Sequence, residues 1–375
     1  MKSNPTLCSY LKKIFALTVL LFPSTINVHA QWLPWEDNTT QRLVVSSVAT
    51  SDPEEKDMWA ADFDNNGRED VIVVRKQPFS SPTQPGKSTL LLMNVNGILT
   101  DQTSLYAPQF ISTVSFARDV YVDDFDHDNW KDVIIANTFL QQPQYFRNKG
   151  VDSLGNWLGF VDESATRFPV LTDDPVRFCA VWGGDVTGDG HKDIYFVNYR
   201  QNSAGGASMD YLLINNGSGV FTNESQTRLG NLRNSAFGTA CQIHDIDGDG
   251  DNDIIKNSTL YNVAPWNARG VLVLFNNGTG TFTNWQNLVP TSSPYMFEVA
   301  DFTNDGLLDV FVVDDGSDYL LRTTARVPNV SITVVKTNLN FSSSNGFGGN
   351  VHAADLDLDG DLDIGVADVD VDIPP

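Results

Sequence analysis

The chain has 375 residues and a formal net charge of −23 at pH 7, from 47 acidic and 24 basic residues. A surface this acidic disfavours nucleic acid and anionic membranes as partners. Beyond the first thirty residues, no stretch approaches the roughly 18 apolar residues that a membrane-spanning helix requires.

Residues 1–30 have the pattern of a secretory signal peptide. Lys2, Lys12 and Lys13 precede the apolar run IFALTVLLF, and small residues end the segment at Val28-His29-Ala30. We expect cleavage after Ala30, a mature domain of residues 31–375, and a secreted, periplasmic or cell-surface location. The alternative is a buried N-terminal helix. Cleavage removes three lysines and gives a mature charge of −26, which six divalent ions would bring to −14.

A short acidic motif of the form D-x-[D/T]-x-[D/N]-[G/N]-x-x-D occurs six times, 54 to 62 residues apart, and each copy runs into a β-branched stretch. Six copies at a near-constant period indicate a repeat protein with one supersecondary unit per period. The copies, called loops 1 to 6 below, begin at Asp62, Asp124, Asp185, Asp245, Asp301 and Asp355.

The motif has the chemistry of a site for a hard cation. Oxygens at positions one, three, five and nine can converge on one centre when position six allows a sharp turn, and Ca²⁺ takes six to eight oxygen ligands. Position six is glycine in five loops and Asn129 in loop 2. We therefore predict up to six Ca²⁺ ions, with the following metal ligands: Asp62, Asp64, Asn66 and Asp70; Asp124, Asp126, Asp128 and Asp132; Asp185, Thr187, Asp189 and Asp193; Asp245, Asp247, Asp249 and Asp253; Asp301, Thr303, Asp305 and Asp309; Asp355, Asp357, Asp359 and Asp363.

The loops differ in predicted strength. Loops 2, 4 and 6 have four carboxylates each, whereas Asn66, Thr187 and Thr303 replace one in loops 1, 3 and 5. The competing interpretation is a set of Asp/Gly/Asn turns without metal. An EF-hand is excluded because it needs a glutamate at position twelve and an exiting helix, and the nonapeptide β-helix repeat because its period is nine.

Between the loops the sequence predicts four short antiparallel strands per period and no convincing helix. One strand precedes each loop, one follows it, a third is apolar as in STLLLMN, and a fourth follows an NNGSG-type turn as in VFTNES. Four-stranded sheets repeated at this period are typical of an all-β β-propeller, here of about six blades, with each loop between strands one and two.

These motifs, together with the NNGxGxFT turn, resemble the FG-GAP/VCBS-type repeat family, as in integrin α-chain propellers and many exported bacterial proteins. The resemblance covers about residues 55–375 and implies Ca²⁺ ligands at positions one, three, five and nine. Thr187, Thr303, Asn66 and Asn129 depart from the family pattern, and its FG and GAP signatures are only loosely present, as at Phe237-Gly238 and Phe347-Gly348.

The sixth repeat has two strands before the chain ends. We expect the N-terminal segment 41–49, near Leu43–Val48, to pair with the last blade near Asp363–Val369. The alternatives are a six-bladed ring with a thin final blade and a piece of a larger, seven-bladed ring. Cys179 and Cys241 are expected to be small buried hydrophobic residues, because a disulfide between their strands would need a bulge.

The function predicted first is an extracellular binding or adhesion module for a glycan or protein ligand, without enzymatic activity. Six tryptophans in connecting segments could stack on sugars, or could fill gaps between blades: Trp32, Trp35, Trp130, Trp157, Trp266 and Trp285. The alternatives are a Ca²⁺-assisted polysaccharide-active enzyme, for which the sequence shows no acid–base pair outside the loops, and a purely structural surface protein.

Overall fold

The structure is a computed structural model that describes residues 38–45, 55–76, 86–113, 115–199, 208–260, 263–339 and 347–369. The chain divides into two compact units between Asp37 and Asn38, and every described residue lies in the second unit. The predicted signal peptide, Trp32 and Trp35 lie outside the described residues. In the described part of the chain, the helices are too short and too polar to cross a bilayer.

The second unit is all-β, and its strands form six sheets in chain order. Sheets 2 to 5 have the four antiparallel strands that the sequence predicts, in sequence order. Sheet 1 contains β1 Leu43–Val44, β2 Glu55–Ala61, β3 Asp70–Arg75, β4 Leu90–Val95 and β5 Ile98–Asp101. Sheet 2 contains β6 Ala117–Asp123, β7 Asp132–Asn137, β8 Gln144–Asn148 and β9 Phe160–Asp162. Sheet 3 contains β10 Phe178–Gly184, β11 Asp193–Asn198, β12 Tyr211–Asn215 and β13 Phe221–Asn223. Sheet 4 contains β14 Cys241–His244, β15 Asp253–Ser258, β16 Gly270–Asn276 and β17 Phe282–Asn287. Sheet 5 contains β18 Pro294–Ala300, β19 Asp309–Asp314, β20 Tyr319–Val327 and β21 Ser331–Asn338. Sheet 6 contains, among the described residues, β22 Phe347–Ala354 and β23 Asp363–Val369.

The first strands of consecutive sheets lie against each other, from β2 and β6 through to β18 and β22. Apolar clusters fill the space between neighbouring sheets; Ile72 and Val74 of sheet 1, for example, share a cluster with Val133 and Ile135 of sheet 2. The strand after each of loops 2 to 5 is buried along its whole length, which explains its continuous β-branched sequence. Radially repeated sheets in contact through their first strands form a propeller-like fold.

The prediction for the N-terminal strand is wrong at Leu43 and Val44, and residues 46–49 of that segment lie outside the described residues. Leu43 and Val44 pair in parallel with Leu99 and Thr100 of β5, so β1 extends sheet 1. Leu43 also packs on the apolar cluster of sheet 1, and this burial favours the nearby edge over the last sheet. In the described residues, β23 pairs with β22.

The first and last sheets are joined by side chains instead. The Nδ2 atom of Asn350 donates a hydrogen bond of 2.6 Å to Oδ1 of Asp57. Met58, however, is 56% exposed, whereas Val120 and Val181 at the equivalent positions of β6 and β10 are each 1% exposed. Met58 in the first strand of sheet 1 is therefore less covered than its equivalents in sheets 2 and 3.

Short helices, which the sequence did not indicate, lie in several connections. They are α1 Thr39–Arg42, α2 Thr103–Tyr106, α3 Pro108–Ser112, α4 Ser164–Arg167, α5 Ser225–Leu229 and a 3₁₀-helix at Gly230–Arg233. Three of them follow a fourth strand that ends in Asp or Asn. In one such turn, Oδ1 of Asp162 accepts hydrogen bonds from both the backbone N–H and the hydroxyl of Ser164. This local hydrogen bonding starts a single helical turn without any apolar periodicity.

The cysteine prediction is confirmed, because Cys179 and Cys241 are both buried and free. The four described tryptophans from connecting segments are not exposed platforms. Trp266 is 3% exposed and packs edge-on against the half-buried Trp285 at 5.0 Å between centroids, and Trp130 and Trp157 are also half-buried. They fill gaps between structural elements, as the second interpretation expected.

Candidate metal centres

Each acidic loop joins the first strand of its sheet to the second. Position six adopts a left-handed backbone in all six loops, with φ between +69° at Asn129 and +98° at Gly360. Position four is also left-handed in every loop, including Leu358 at φ +62°, and the motif did not reveal this. The two left-handed residues coil the loop so that its acidic side chains turn inward.

The first aspartate holds each loop closed. In loop 1, Oδ1 of Asp62 accepts a hydrogen bond from the N–H of Asn66 at 2.9 Å, and Oδ2 accepts one from Gly67 at 2.7 Å. The same pair of bonds occurs in the other five loops. The carboxylate of position one is therefore fixed before any ion binds.

The ninth residue begins the second strand and anchors the loop to its sheet. In loop 4, Oδ1 of Asp253 accepts a hydrogen bond of 2.8 Å from the N–H of Asn276 in β16. Asp253 is fully buried, and burial raises its pKa to about 8, with Asp247, Asp249 and Asp245 adding like charge. Burial likewise raises the pKa of Asp70 to about 6, of Asp132 to about 8 and of Asp193 to about 7.

The side chain at position five is also held in place by a hydrogen bond. Its carboxylate accepts the N–H of position seven in loops 2 to 6, as in the 3.0 Å bond from Asp251 to Oδ1 of Asp249. Asn66 makes no such bond to Arg68 among the contacts of the described residues. In loop 5, the hydroxyl of Thr303 donates to Oδ2 of Asp309 at 3.2 Å.

The structure brings predicted ligands together in four loops. In each of these loops, three carboxylates offer oxygen atoms that lie within 4.8 Å of one another. The trios are Asp62, Asp64 and Asp70; Asp124, Asp126 and Asp132; Asp245, Asp247 and Asp253; and Asp355, Asp357 and Asp359. Within the described residues, loops 3 and 5 form no such trio; these are the loops with threonine at position three.

Two carboxylate oxygen atoms indicate that a cation fits loops 2 and 4. Oδ1 of Asp126 and Oδ2 of Asp253 are buried and have no hydrogen-bond partner. A buried carboxylate oxygen without a partner is costly, and these two belong to the trios of loops 2 and 4. The donor set is made of oxygen, as a hard divalent cation such as Ca²⁺ requires. The residues present fit Ca²⁺.

Asparagines of the NNG-type turns tie loops 1 to 3 to the following sheet, a role that the sequence did not reveal. Asn148, Asn215 and Asn276 each donate from Nδ2 to the backbone carbonyl at position two of the preceding loop, at 2.8 to 2.9 Å. The recurring position of the first asparagine in these turns was the available signal.

Neighbouring loops also touch each other. Nδ2 of Asn65 donates to the carbonyl of Asn129, and Nδ2 of Asn252 donates to the carbonyl of Asp185. Between loops 2 and 3, Nε2 of His127 and Nδ1 of His191 lie 2.7 Å apart. Nδ2 of Asn304 in loop 5 donates to Asp361 in loop 6. These contacts link loops 1 to 4 in a row and link loop 5 to loop 6.

One pair of acids outside the loops escaped the sequence analysis. Asp57 and Asp119 lie in β2 and β6, each five residues before its loop, and they share a hydrogen bond. Burial and the Asp57 carboxylate raise the pKa of Asp119 well above its usual value. Asp57 and Asp119 accept backbone hydrogen bonds from Val120 and Val181 of the next first strands, so the pair also holds the inner strands together.

The comparisons with known proteins agree with this geometry. The family model of the FG-GAP-like repeat matches residues 62–135, 185–255, 261–312 and 301–366, which together are more than half of the chain and include all six loops. No curated protein sequence matches the chain.

Two solved structures are similar at low identity. One is a lectin of Agrocybe aegerita that recognises non-reducing terminal N-acetylglucosamine, 18% identical over 75% of this chain and 66% of its own, with a TM-score of 0.47. The other is the V. cholerae biofilm matrix protein Bap1, 15% identical over 83% of this chain and 43% of its own, with a TM-score of 0.40. The chain thus spans just under two thirds of the lectin and less than half of Bap1. The six loops, the four-stranded sheets and the match over most of the repeats lead to one conclusion: the chain belongs to the FG-GAP-like repeat family.

Proposed function

We propose that this protein is an exported, Ca²⁺-dependent binding or adhesion module for a glycan or protein ligand. The observation that carries the proposal is the set of carboxylate trios whose oxygen atoms lie within 4.8 Å of one another in loops 1, 2, 4 and 6. Without a cation, these like charges repel each other and raise the cost of folding. A Ca²⁺ ion in each loop would be held by positions one, three, five and nine.

In this proposal the ions have a structural role. Loops 1 to 5 are each bonded to the third strand of their own sheet, and loops 1 to 3 are also bonded to the following sheet. An ion that orders a loop therefore also orders the sheets around it, and the surfaces of those sheets become a rigid framework for a ligand. Export is supported by the lysine-rich start and the short apolar run of residues 1–30.

The alternative is a polysaccharide-active enzyme, and Asp57 and Asp119 are the acid pair that such an enzyme could use. Their oxygen atoms are occupied, however. Asp57 accepts from Asn350 and Val120, and Asp119 accepts from Val120 and Val181. Carboxylates that hold the inner strands in register are poorly placed to exchange protons with a substrate, so we favour the binding module.

The experiment is a glycan array and a panel of extracellular matrix proteins, probed with residues 31–375 in millimolar Ca²⁺ and again after chelation. We expect binding that requires Ca²⁺, with no release of reducing ends from any bound polysaccharide. Turnover of a polysaccharide would favour the enzyme. Absence of any ligand in Ca²⁺, from a protein shown to be folded, would favour a purely structural surface protein.

A further inference from the structure

Three basic residues from consecutive sheets gather at the far end of the sheets, which is the end opposite the acidic loops. Lys76 directly follows β3, Arg118 is the second residue of β6, and Arg177 directly precedes β10. Since the loops join the other ends of these same strands, the basic residues and the loops lie at opposite ends of the sheets. We call these three residues the basic cluster.

The cluster surrounds two aromatic rings. The Nζ atom of Lys76 lies 6.0 Å from the ring centroid of Phe139, and the Cζ atom of Arg177 lies 5.7 Å from the same centroid. The Cζ atom of Arg118 lies 5.1 Å from the centroid of Tyr199. Thr138, the neighbour of Phe139, is hydrogen-bonded to the hydroxyl of Tyr199 at 2.5 Å, so the two rings belong to one connected surface.

Positive charge is concentrated here in a chain whose net charge is −23. Burial and the charges of Arg118 and Lys56 lower the pKa of Lys76 to about 7. The arginines nearer the acidic loops are paired differently, since Arg147, Arg167 and Arg228 each contact a glutamate within 2.9 Å. Among the described residues, neither Arg118 nor Arg177 forms an ion pair with a carboxylate.

The turn that presents Phe139 is strained. Phe139 and Leu140 have φ values of +55° and +69°, a region that bulky residues rarely adopt. A hydrogen bond of 2.9 Å from the N–H of Leu140 to the carbonyl of Val176 fastens this turn beside Arg177. Bulky residues in this conformation persist where the surrounding structure enforces them, and such sites are often functional.

Arg177 has an unused donor. Its Nε atom is buried and has no hydrogen-bond partner, while the side chain as a whole is only half-buried. Arg118 is also half-buried and is hydrogen-bonded to Tyr295 of β18, so it reaches across to a non-adjacent sheet. A planar, partly exposed guanidinium is suited to a carboxylate or sulfate group, which accepts two parallel hydrogen bonds.

We propose that the basic cluster binds the carboxylate or sulfate group of an acidic sugar, with Arg177 and Arg118 as the direct contacts and the faces of Phe139 and Tyr199 beside the sugar ring. This names the ligand class of the binding module and therefore rests on the proposed function. Lys76 lies beneath the surface of this site, because only 2% of it is exposed. The site does not use the Ca²⁺ loops, which lie at the other end of the sheets.

The test is calorimetric titration of residues 31–375 in saturating Ca²⁺ with a glucuronate-containing tetrasaccharide and with its methyl ester, which has the same shape without the charge. We expect the wild-type protein to bind the acid form at least tenfold more tightly than the ester, and Arg177→Gln to remove most of that preference. Arg322→Gln is the matched control, because it removes the same charge from an exposed position in sheet 5. Equal affinity for acid and ester, or equal loss in the two variants, would overturn the proposal.

Two further arms separate the remaining outcomes. If Arg177→Gln does not fold, Arg177→Lys is used instead, because it keeps the charge but not the planar guanidinium. We expect Arg177→Lys to reduce the preference for the acid form over the ester several-fold. A variant that retains the full preference would overturn the role of Arg177. Sulfate ion is also titrated alone at matched ionic strength. A protein that binds sulfate but does not bind the tetrasaccharide would overturn the sugar ligand. If wild type and Arg177→Gln bind neutral glycans and the acid form with the same affinities, this site is overturned while the binding module stays intact.

Discussion

The side-chain amide of Asn276 donates a hydrogen bond of 2.8 Å to the carbonyl oxygen of Val186, so a turn of sheet 4 is fastened to an acidic loop of sheet 3. The same amide donates to Asn252 at 2.9 Å, and its Oδ1 accepts from Gly278 and Gly280. One buried side chain thereby serves its own turn, its own loop and the loop of the preceding sheet.

Replacement of Asn276 should therefore be costly. Asn276→Ala leaves a buried and a partly buried carbonyl group without this donor, and we expect a loss on the order of 2–4 kcal/mol in the free energy of unfolding. The neighbouring Asn277 is exposed and serves only its own turn among the described contacts, so Asn277→Ala should cost less than about 1 kcal/mol. Urea unfolding in Ca²⁺ measures both, and equal losses would contradict the role given to Asn276.

Calcium should raise the thermal stability of the whole second unit. Extracellular Ca²⁺ modules have dissociation constants of roughly 10⁻⁴–10⁻³ M. At millimolar Ca²⁺ each site then stabilises by about 0.4–1.4 kcal/mol, and six sites by on the order of 2–8 kcal/mol. Calorimetry before and after chelation measures this, with Mg²⁺ as the comparison ion. An unchanged melting temperature after exhaustive chelation would exclude structural calcium.

Loop 4 should bind more strongly than loop 5. Asp247 is 1% exposed and belongs to a carboxylate trio, whereas the hydroxyl of Thr303 donates to Asp309 within its own loop. We expect Asp247→Ala to reduce the stabilisation by Ca²⁺ more than Thr303→Ala does. The melting temperature of each variant is measured with and without Ca²⁺. This comparison separates the stabilisation by the ion from the effect of lost hydrogen bonds, such as the one that the N–H of Asn329 donates to Asp247. Equal reductions would contradict the ranking.

The stability should also depend on pH through Glu298 in the inner strand of sheet 5. Burial raises the pKa of Glu298 to about 7 from 4.5, partly opposed by a hydrogen bond from Gln242. Between these pH values the folded protein holds a proton that the unfolded chain releases, so the contribution of Glu298 to stability is present below pH 4.5 and lost as the pH rises towards 7.

Glu298→Gln should remove this dependence. The difference in the free energy of unfolding between the variant and wild type should be more favourable to the variant at pH 8 than at pH 4.5, by on the order of 2–3 kcal/mol. Chemical denaturation of both proteins in saturating Ca²⁺ across this range gives the difference curve. A flat difference curve would show that the Glu298 carboxyl titrates normally in the folded protein.

The sequence was sufficient for features that repeat and was insufficient for features that depend on non-repeating partners. The left-handed residue at position six, the four strands of sheets 2 to 5 and the place of the ninth aspartate at the start of the second strand all follow from local chemistry. The partner of Leu43 and Val44 could not be predicted, because two apolar residues fit the edge of more than one sheet. The Asp57–Asp119 pair needed the packing of β2 on β6, although their shared spacing from the loops was visible.

The contacts between neighbouring loops have a consequence for how the protein responds to falling calcium. Asn65, His127 and Asn252 each touch the adjacent loop, so loops 1 to 4 form a row of units coupled to their nearest neighbours, and Asn304 couples loop 5 to loop 6 in the same way. Such a row loses order cooperatively, because each vacated site weakens the next. We expect a Ca²⁺ titration of folding to be steeper than six independent sites allow, and Asn252→Ala to flatten it. The protein would then register calcium as a threshold, with loops 1 to 4 ordered together above it and released together below it.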